Sequence, residues 1–341
     1  MTEAALGIDA IRGIFSKCAL EGEAERRHCH HYSRGDKILD HSNPCGSPSG
    51  SAAGVAAGFA PLTLGTETDG SISQPAGRAS LYAIKATVGG IITEGTSPTA
   101  LSATAPIATT FVPELVEKQE SDIVAASDRI EQSGAKVVRD VKLILYQALE
   151  INGRDALEEV WDHDFQQNIA RFLEGCIDPP SDLWKYSLNT ISRITRMKFH
   201  NDQGQLEDAI GNHISDEGYE KAKIFIRTAA RGNGFDSIFA NFDVDLVVSL
   251  LDWRVGWMSA AAGYPHANVL LGYSDDFNGR AYGLTIVAGA GHENKIVQFM
   301  STWEASHPKH EKATASARQL GFWKGVYVAM IAMTAARMFK N

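Results

Sequence analysis

The sequence predicts an α/β protein, and three observations carry that prediction. Residues Pro113 to Gln132 read as a helix, with Pro113 tolerated in the first turn; Gly134 follows as a stop and Lys136-Val137-Val138 as a strand, an α-then-β unit. Short apolar runs read as buried strands at Val244 to Leu251, Ala267 to Leu271 and Gly283 to Ala288, the last two joined by a Phe277-Asn278-Gly279-Arg280 turn. Helical stretches are interleaved with them. Ser215, followed by Asp216 and Glu217, is a good N-cap for a helix running through Ala230, and Glu293 to Glu304 reads as another helix.

With 341 residues the chain is long enough to bury a large core. Hydrophobic residues make up 44% and charged residues 21%, an ordinary balance for a globular protein. The net charge of -9 argues against a general nucleic-acid binder, because neutralising phosphates needs a basic surface. Cys18, Cys29, Cys45 and Cys176 are too few and too scattered for a disulfide framework, which points to a reducing, cytoplasmic location. The opening residues carry acids and lack the basic-then-apolar order of a signal peptide. Gly325 to Ala336 is uncharged but bounded by Lys324 and Arg337, too short to span a bilayer, and is expected to be a helix packed on the domain. The expected organisation is a divergent segment over 1–43, a main domain over 44–310 and a helical tail over 311–341.

Within the first segment, Ala4 to Ala19 could form an amphipathic helix, and a polar, charged stretch follows. His28, Cys29, His30 and His31 lie there side by side. Adjacent residues cannot all converge on one ion, so the cluster reads as a solvated polar segment and no metal is expected.

Residues 44–90 are the informative block. Glycine, alanine and serine dominate, yet Val55, Phe59, Leu62 and Leu64 keep an apolar rhythm foreign to a flexible linker. Ser51 to Phe59 reads as a helix ended by Pro61, and Leu62 to Thr66 as a short buried strand. Gly70-Ser71 then sits on a tight turn, where a serine hydroxyl can face a cleft and backbone N–H groups can stabilise charge developing on a carbonyl oxygen. A second serine cluster, Ser47, Ser49 and Ser51, lies upstream on another glycine-containing turn. A serine is a weak nucleophile until a base takes its proton, so acyl transfer at Ser71 would need a relay.

Gly70-Ser71-Ile72 followed by Pro75-Ala76, in a block rich in glycine and serine, resembles the signature of the amidase-signature hydrolases. The likeness continues through Tyr82-Ala83-Ile84-Lys85-Ala86-Thr87-Val88-Gly89, the turn Ala260 to Pro265 and the strand Asn278 to Leu284; over 113–308 it is nearest to the fungal members. The resemblance implies a mixed, twisted β-sheet flanked by α-helices. It implies an amide hydrolase acting on a small-molecule amide, with Ser71 as nucleophile, Ser47 as proton relay and an oxyanion hole from the backbone of Thr68, Asp69, Gly70 and Ser71. No metal or organic cofactor is implied.

The chain departs from the family in one respect. The family's catalytic base is a lysine well upstream of the relay serine, in a Val-Lys-Asp-Asn-like motif. Lys17 and Lys37 are the lysines upstream of Ser47, and neither has those neighbours. A segment that follows the signature in the family also has no counterpart at 91–112. A shortened member is therefore expected, with activity reduced, or an inactive homologue acting as a binding or interaction protein. No histidine falls in a Ser-His-Asp order with a nucleophile elbow; His163, His200 and His266 read as surface or core residues. Gly289-Ala290-Gly291 lacks the third glycine of a dinucleotide loop.

Overall fold

A computed structural model describes residues 46, 48–91, 113–144, 146–151, 153–174, 211, 214–251, 255–274, 279–306 and 329–331. In chain order the elements are α1 (Ser49–Ala56), α2 (Ser73–Arg78), β1 (Tyr82–Lys85), α3 (Pro113–Gln132), β2 (Glu150–Ile151), β3 (Arg154–Asp155), α4 (Ala156–Glu174), α5 (Asp216–Ala230), α6 (Asp236–Phe242), β4 (Leu246–Leu250), α7 (Val255–Ala262), β5 (His266–Ser274), β6 (Arg280–Ala288), α8 (Glu293–Ser306) and β7 (Ala329–Ile331). Five strands form one sheet in the order β4-β6-β5-β1-β7. The β4–β6, β6–β5 and β5–β1 pairs are antiparallel and β1–β7 is parallel, so the sheet is mixed.

Alternation along the strands gives the sheet two differently covered faces. On one face Tyr82, Ile84, Ala267, Val269, Leu284 and Ile286 pack under α3 and α8, which contribute Ala126 and the helically spaced trio Ile296, Met300 and Trp303. The opposite face carries Ala83 and Lys85 of β1 and His266 and Asn268 of β5. Here Ala83 packs with Ile72, Ala76 and Ala52 from the signature block. Beyond it lies a larger cluster built by α4, α5, α7 and Phe235 against Val287. Gly77 allows α2 to lie close on the sheet: a Cβ there would stand 2.1 Å from Leu251 Cδ2. Asn268 Nδ2 donates to the Leu81 carbonyl at 2.8 Å, tying the chain after α2 to β5.

Several expected elements form as read. The helix from Pro113 to Gln132 is present, with Gly134 beyond it at φ 95°. The Ser215 hydroxyl accepts the Gly218 N–H at 3.1 Å, capping α5. The expected β5–β6 hairpin and β4 are present, and the last helix runs to Ser306.

Other elements differ. The first helix starts at Ser49 and ends at Ala56, because Gly58 takes a left-handed conformation (φ 77°) well before Pro61. Leu62 to Thr66 forms no strand, and Leu62 and Leu64 are 39% and 65% exposed. Its bonds go to α1 instead: Ser51 Oγ donates to the Leu64 carbonyl at 2.8 Å, and Thr63 Oγ1 to the Ser51 carbonyl at 3.2 Å. Lys136 to Val138 likewise has no ladder partner among the described residues; Lys136 Nζ reaches the Phe242 carbonyl at 2.7 Å. Ala329–Ile331, inside a stretch expected to be helical, pairs as a strand with β1. The remainder of the 311–341 tail, the 1–43 segment with His28 to His31, and His200 lie outside the described residues. No helix among the described residues is long and apolar enough to cross a membrane.

Candidate active site

The turn that carries Ser71 links the run after α1 to the short helix α2. Gly70 makes it possible: its φ is 78°, and a Cβ there would fall 2.7 Å from the Gln74 side chain. Gln74 N donates to the Gly70 carbonyl at 3.0 Å, so the turn runs directly into α2. Ser71 and Thr68 are buried, at 6% and 9% exposure. Gly46 is seated against this turn. Its φ is 71°, and a Cβ there would come within 2.6 Å of both the Ser71 carbonyl oxygen and Pro75 Cδ. Pro48 lies against Gly65, where a Cβ would stand 2.8 Å from Pro48 Cβ. The two chain neighbours of Ser47 thus pack on the segment leading into and through Ser71. Ser47 itself lies outside the described residues, as do Lys17 and Lys37.

Beneath the turn is a buried group of charged side chains that the sequence reading left unassigned. Glu67 Oε2 accepts the backbone N–H of Ile72 and, at 2.6 Å, that of Ser73. Its Oε1 lies 3.2 Å from Ser73 Oγ and 2.5 Å from His266 Nε2. A carboxylate only accepts, so the His266 proton on this side belongs to Nε2. On the other side of the ring, Nδ1 is 2.9 Å from Ser259 Oγ, which in turn is 3.0 Å from the Tyr264 carbonyl oxygen. Lys85 is 7% exposed and its Nζ finds no hydrogen-bond partner among the described residues. Lys85 and His266 are direct partners in the β1–β5 register, which brings both to the face beneath the turn.

Burial sets the ionisation here. It pushes the Glu67 carboxyl up, but the charge of and hydrogen bond from His266, together with Lys85 and the Ser73 N–H, more than offset this and leave it at about 2. Burial lowers His266, and Glu67 restores only part of that. Burial also lowers Lys85, against the pull of Glu67 and Asp69. Asp69 moves the other way: burial and then Glu67 raise it to about 7, with Lys85 opposing.

Of the residues expected at the site, Thr68, Asp69, Gly70 and Ser71 come together in one turn. Glu67, Lys85 and His266 are the additions. The available signal was charge in apolar company, with Lys85 ending Tyr82-Ala83-Ile84 and His266 opening Ala267 to Leu271. His266, read from the sequence as a surface or core residue, is buried, within a polar network. Among the described residues no group of three or more histidines, cysteines or acids could hold a metal ion.

Residues 39–111 match the family model Amidase. The fold is similar to that of native peptide amidase from Stenotrophomonas maltophilia, at 21% identity and TM-score 0.67 over 80% of this chain and 68% of that one. An amidase family protein from Bacillus anthracis aligns at 19% identity and TM-score 0.67, over 80% of this chain and 62% of that one. A bacterial aryl acylamidase of the amidase-signature family aligns at 15% identity and TM-score 0.53, over 82% and 69%. No curated protein matches in sequence. The chain has the amidase-signature α/β fold, and spans about two thirds of the length of these solved structures.

Proposed function

We propose that this chain hydrolyses a carbon–nitrogen bond in a small-molecule amide through an acyl-enzyme on Ser71. The observation that carries the reading is the seating of Gly46 and Pro48 on the segment around Gly70-Ser71, which puts the backbone on either side of Ser47 beside the nucleophile's turn. Ser71 Oγ attacks the amide carbonyl and its proton passes to the Ser47 hydroxyl, which gives a proton to the leaving nitrogen. The C–N bond breaks and ammonia or an amine departs. Water then attacks the ester, the acid leaves, and a proton returns to Ser71. Backbone N–H groups of Thr68, Asp69, Gly70 and Ser71 take the oxyanion. Those of Ile72 and Ser73 are already committed to Glu67. The scattered cysteines support a cytoplasmic setting.

The proton accepted by Ser47 needs a base, and neither Lys17 nor Lys37 has the sequence neighbours of the family's lysine. Where no base takes that proton, rates fall by about 10²–10⁴. A serine-directed fluorophosphonate tests the nucleophile directly. Labelling of the wild type that disappears in Ser71→Ala and slows by about 10²–10⁴ in Ser47→Ala supports the reading. No labelling of folded wild-type protein assigns the second reading, a binding protein of the same fold. That reading is favoured by the apolar side chains of Phe59 and Leu64, which stand 72% and 65% exposed on the run leading to the turn.

A further inference from the structure

We propose that His266 and Glu67 act together as positioning residues for Ser71: His266 on β5 holds the Glu67 carboxylate, and that carboxylate fixes the backbone carrying the nucleophile. The functional meaning rests on Ser71 being the nucleophile; the mechanical coupling does not.

The turn at Gly70 has a left-handed residue at its centre and enters a helix of only six residues. Glycine is also the residue with the most alternative conformations to lose, so the turn needs an external restraint to keep one shape. Glu67 supplies it, its Oε2 taking two consecutive N–H groups, those of Ile72 and Ser73. Those bonds orient the two peptide planes that follow Ser71, and the first of them includes the Ser71 carbonyl against which Gly46 packs.

A carboxylate wholly removed from water is costly unless it is itself held and charge-matched. His266 Nε2 at 2.5 Å holds it from the sheet by a hydrogen bond, and both side chains are buried, at 1% and 0% exposure. His266 is in turn oriented by Ser259 of α7. A continuous chain of hydrogen bonds thereby runs from α7 through β5 to the turn. If Glu67 were only a local cap, nothing would require a partner on a strand far along the sequence. The other charged groups facing this pair are Lys85 on β1 and Asp69 in the turn, with Arg227 of α5 opposing Lys85.

The test uses the full chain and two readouts. Amide hydrogen exchange in the wild type should show Ile72 and Ser73 protected far beyond the exposed Gly89 and Gly90. In Glu67→Gln and His266→Phe that protection should fall by about tenfold or more, while amides of β6 keep theirs. Fluorophosphonate labelling and amide turnover should slow by about 10–10² in the same variants, in kcat with KM little changed, because the loss is one of geometry. His266→Gln, which can still donate to Glu67, should recover most of the rate, and the double variant should be no slower than the worse single one. Ile72 and Ser73 amides that exchange like exposed loop in the wild type overturn the proposal without any variant. So does unchanged protection in variants that fold, or a His266→Gln no better than His266→Phe. If protection falls as expected but the wild type never labels, the nucleophile reading fails while the coupling of His266 to the turn stands.

Discussion

Asp69 precedes the glycine of the turn, and its carboxyl packs on α7, where a Cβ on Gly256 would stand 2.9 Å from Asp69 Oδ1. Burial and Glu67 raise it from 3.8 to about 7. The sign of its effect on stability follows. Between those values the unfolded chain ionises freely while the folded chain keeps the proton, so stability falls as pH rises through that window. Asp69→Asn keeps the shape and has no proton to lose. The thermal midpoint of Asp69→Asn relative to wild type should therefore climb from pH 4 to pH 8. A constant difference across that range would show that the side chain is not held protonated. The same residue shows how far the sequence could be read. Gly70-Ser71-Ile72 and Pro75-Ala76 singled out the serine as the expected nucleophile from a local motif. The role of its acidic neighbours depended on what lies beneath them, which is set by strands remote in sequence.

At the level of elements, the C-terminus of α7 is closed by two guanidinium groups. Arg227 Nη1 donates to the carbonyls of Ala260 at 3.3 Å and Ala261 at 2.8 Å, and Arg231 Nε to Ala262 at 2.6 Å. Carbonyls at a helix end lack partners within the helix, so cations there satisfy both bonding and dipole. Gly263 follows at φ 67°, and a Cβ on it would lie 2.1 Å from Arg227 Nη1. Gly263→Ala should cost about 1–3 kcal/mol through strain and collision. Arg227→Met should cost about 1.5–3 kcal/mol through lost charged hydrogen bonds. Because the two share one contact, the double variant should lose less than the sum, which urea midpoints would show. Additive losses would mean that the arginine does not occupy the space over Gly263. Elements of this kind were unevenly legible. The helix from Pro113 to Gln132 and the Ser215 cap could be read because their signals are local. Leu62 to Thr66 and Lys136 to Val138 have apolar strand-like composition, but a strand also needs a ladder partner, and neither has one among the described residues.

Across the whole molecule, the sheet separates an apolar face under α3 and α8 from a face that carries the charged group below Ser71. That division depends on register. Lys85 opposes His266 in the β1–β5 pair, and a one-residue slip would turn Lys85 onto the apolar side. The mixed sheet was implied by family resemblance. The pairing that puts residues 85 and 266 together has no local pattern to announce it, which is why this part of the site could not be read beforehand. The run after α1 shows the complementary case. Phe59, Leu62 and Leu64 are 72%, 39% and 65% exposed, close together along the chain that leads into the site. Apolar side chains in water contribute little to the stability of the isolated fold but promote association. Replacing Phe59 with Ser and Leu64 with Thr should change the unfolding free energy by no more than about 0.5 kcal/mol per site. It should also reduce concentration-dependent light scattering of the protein. A loss of several kcal/mol instead would mean that these side chains are buried in solution, with the run covered by further chain or by a second copy.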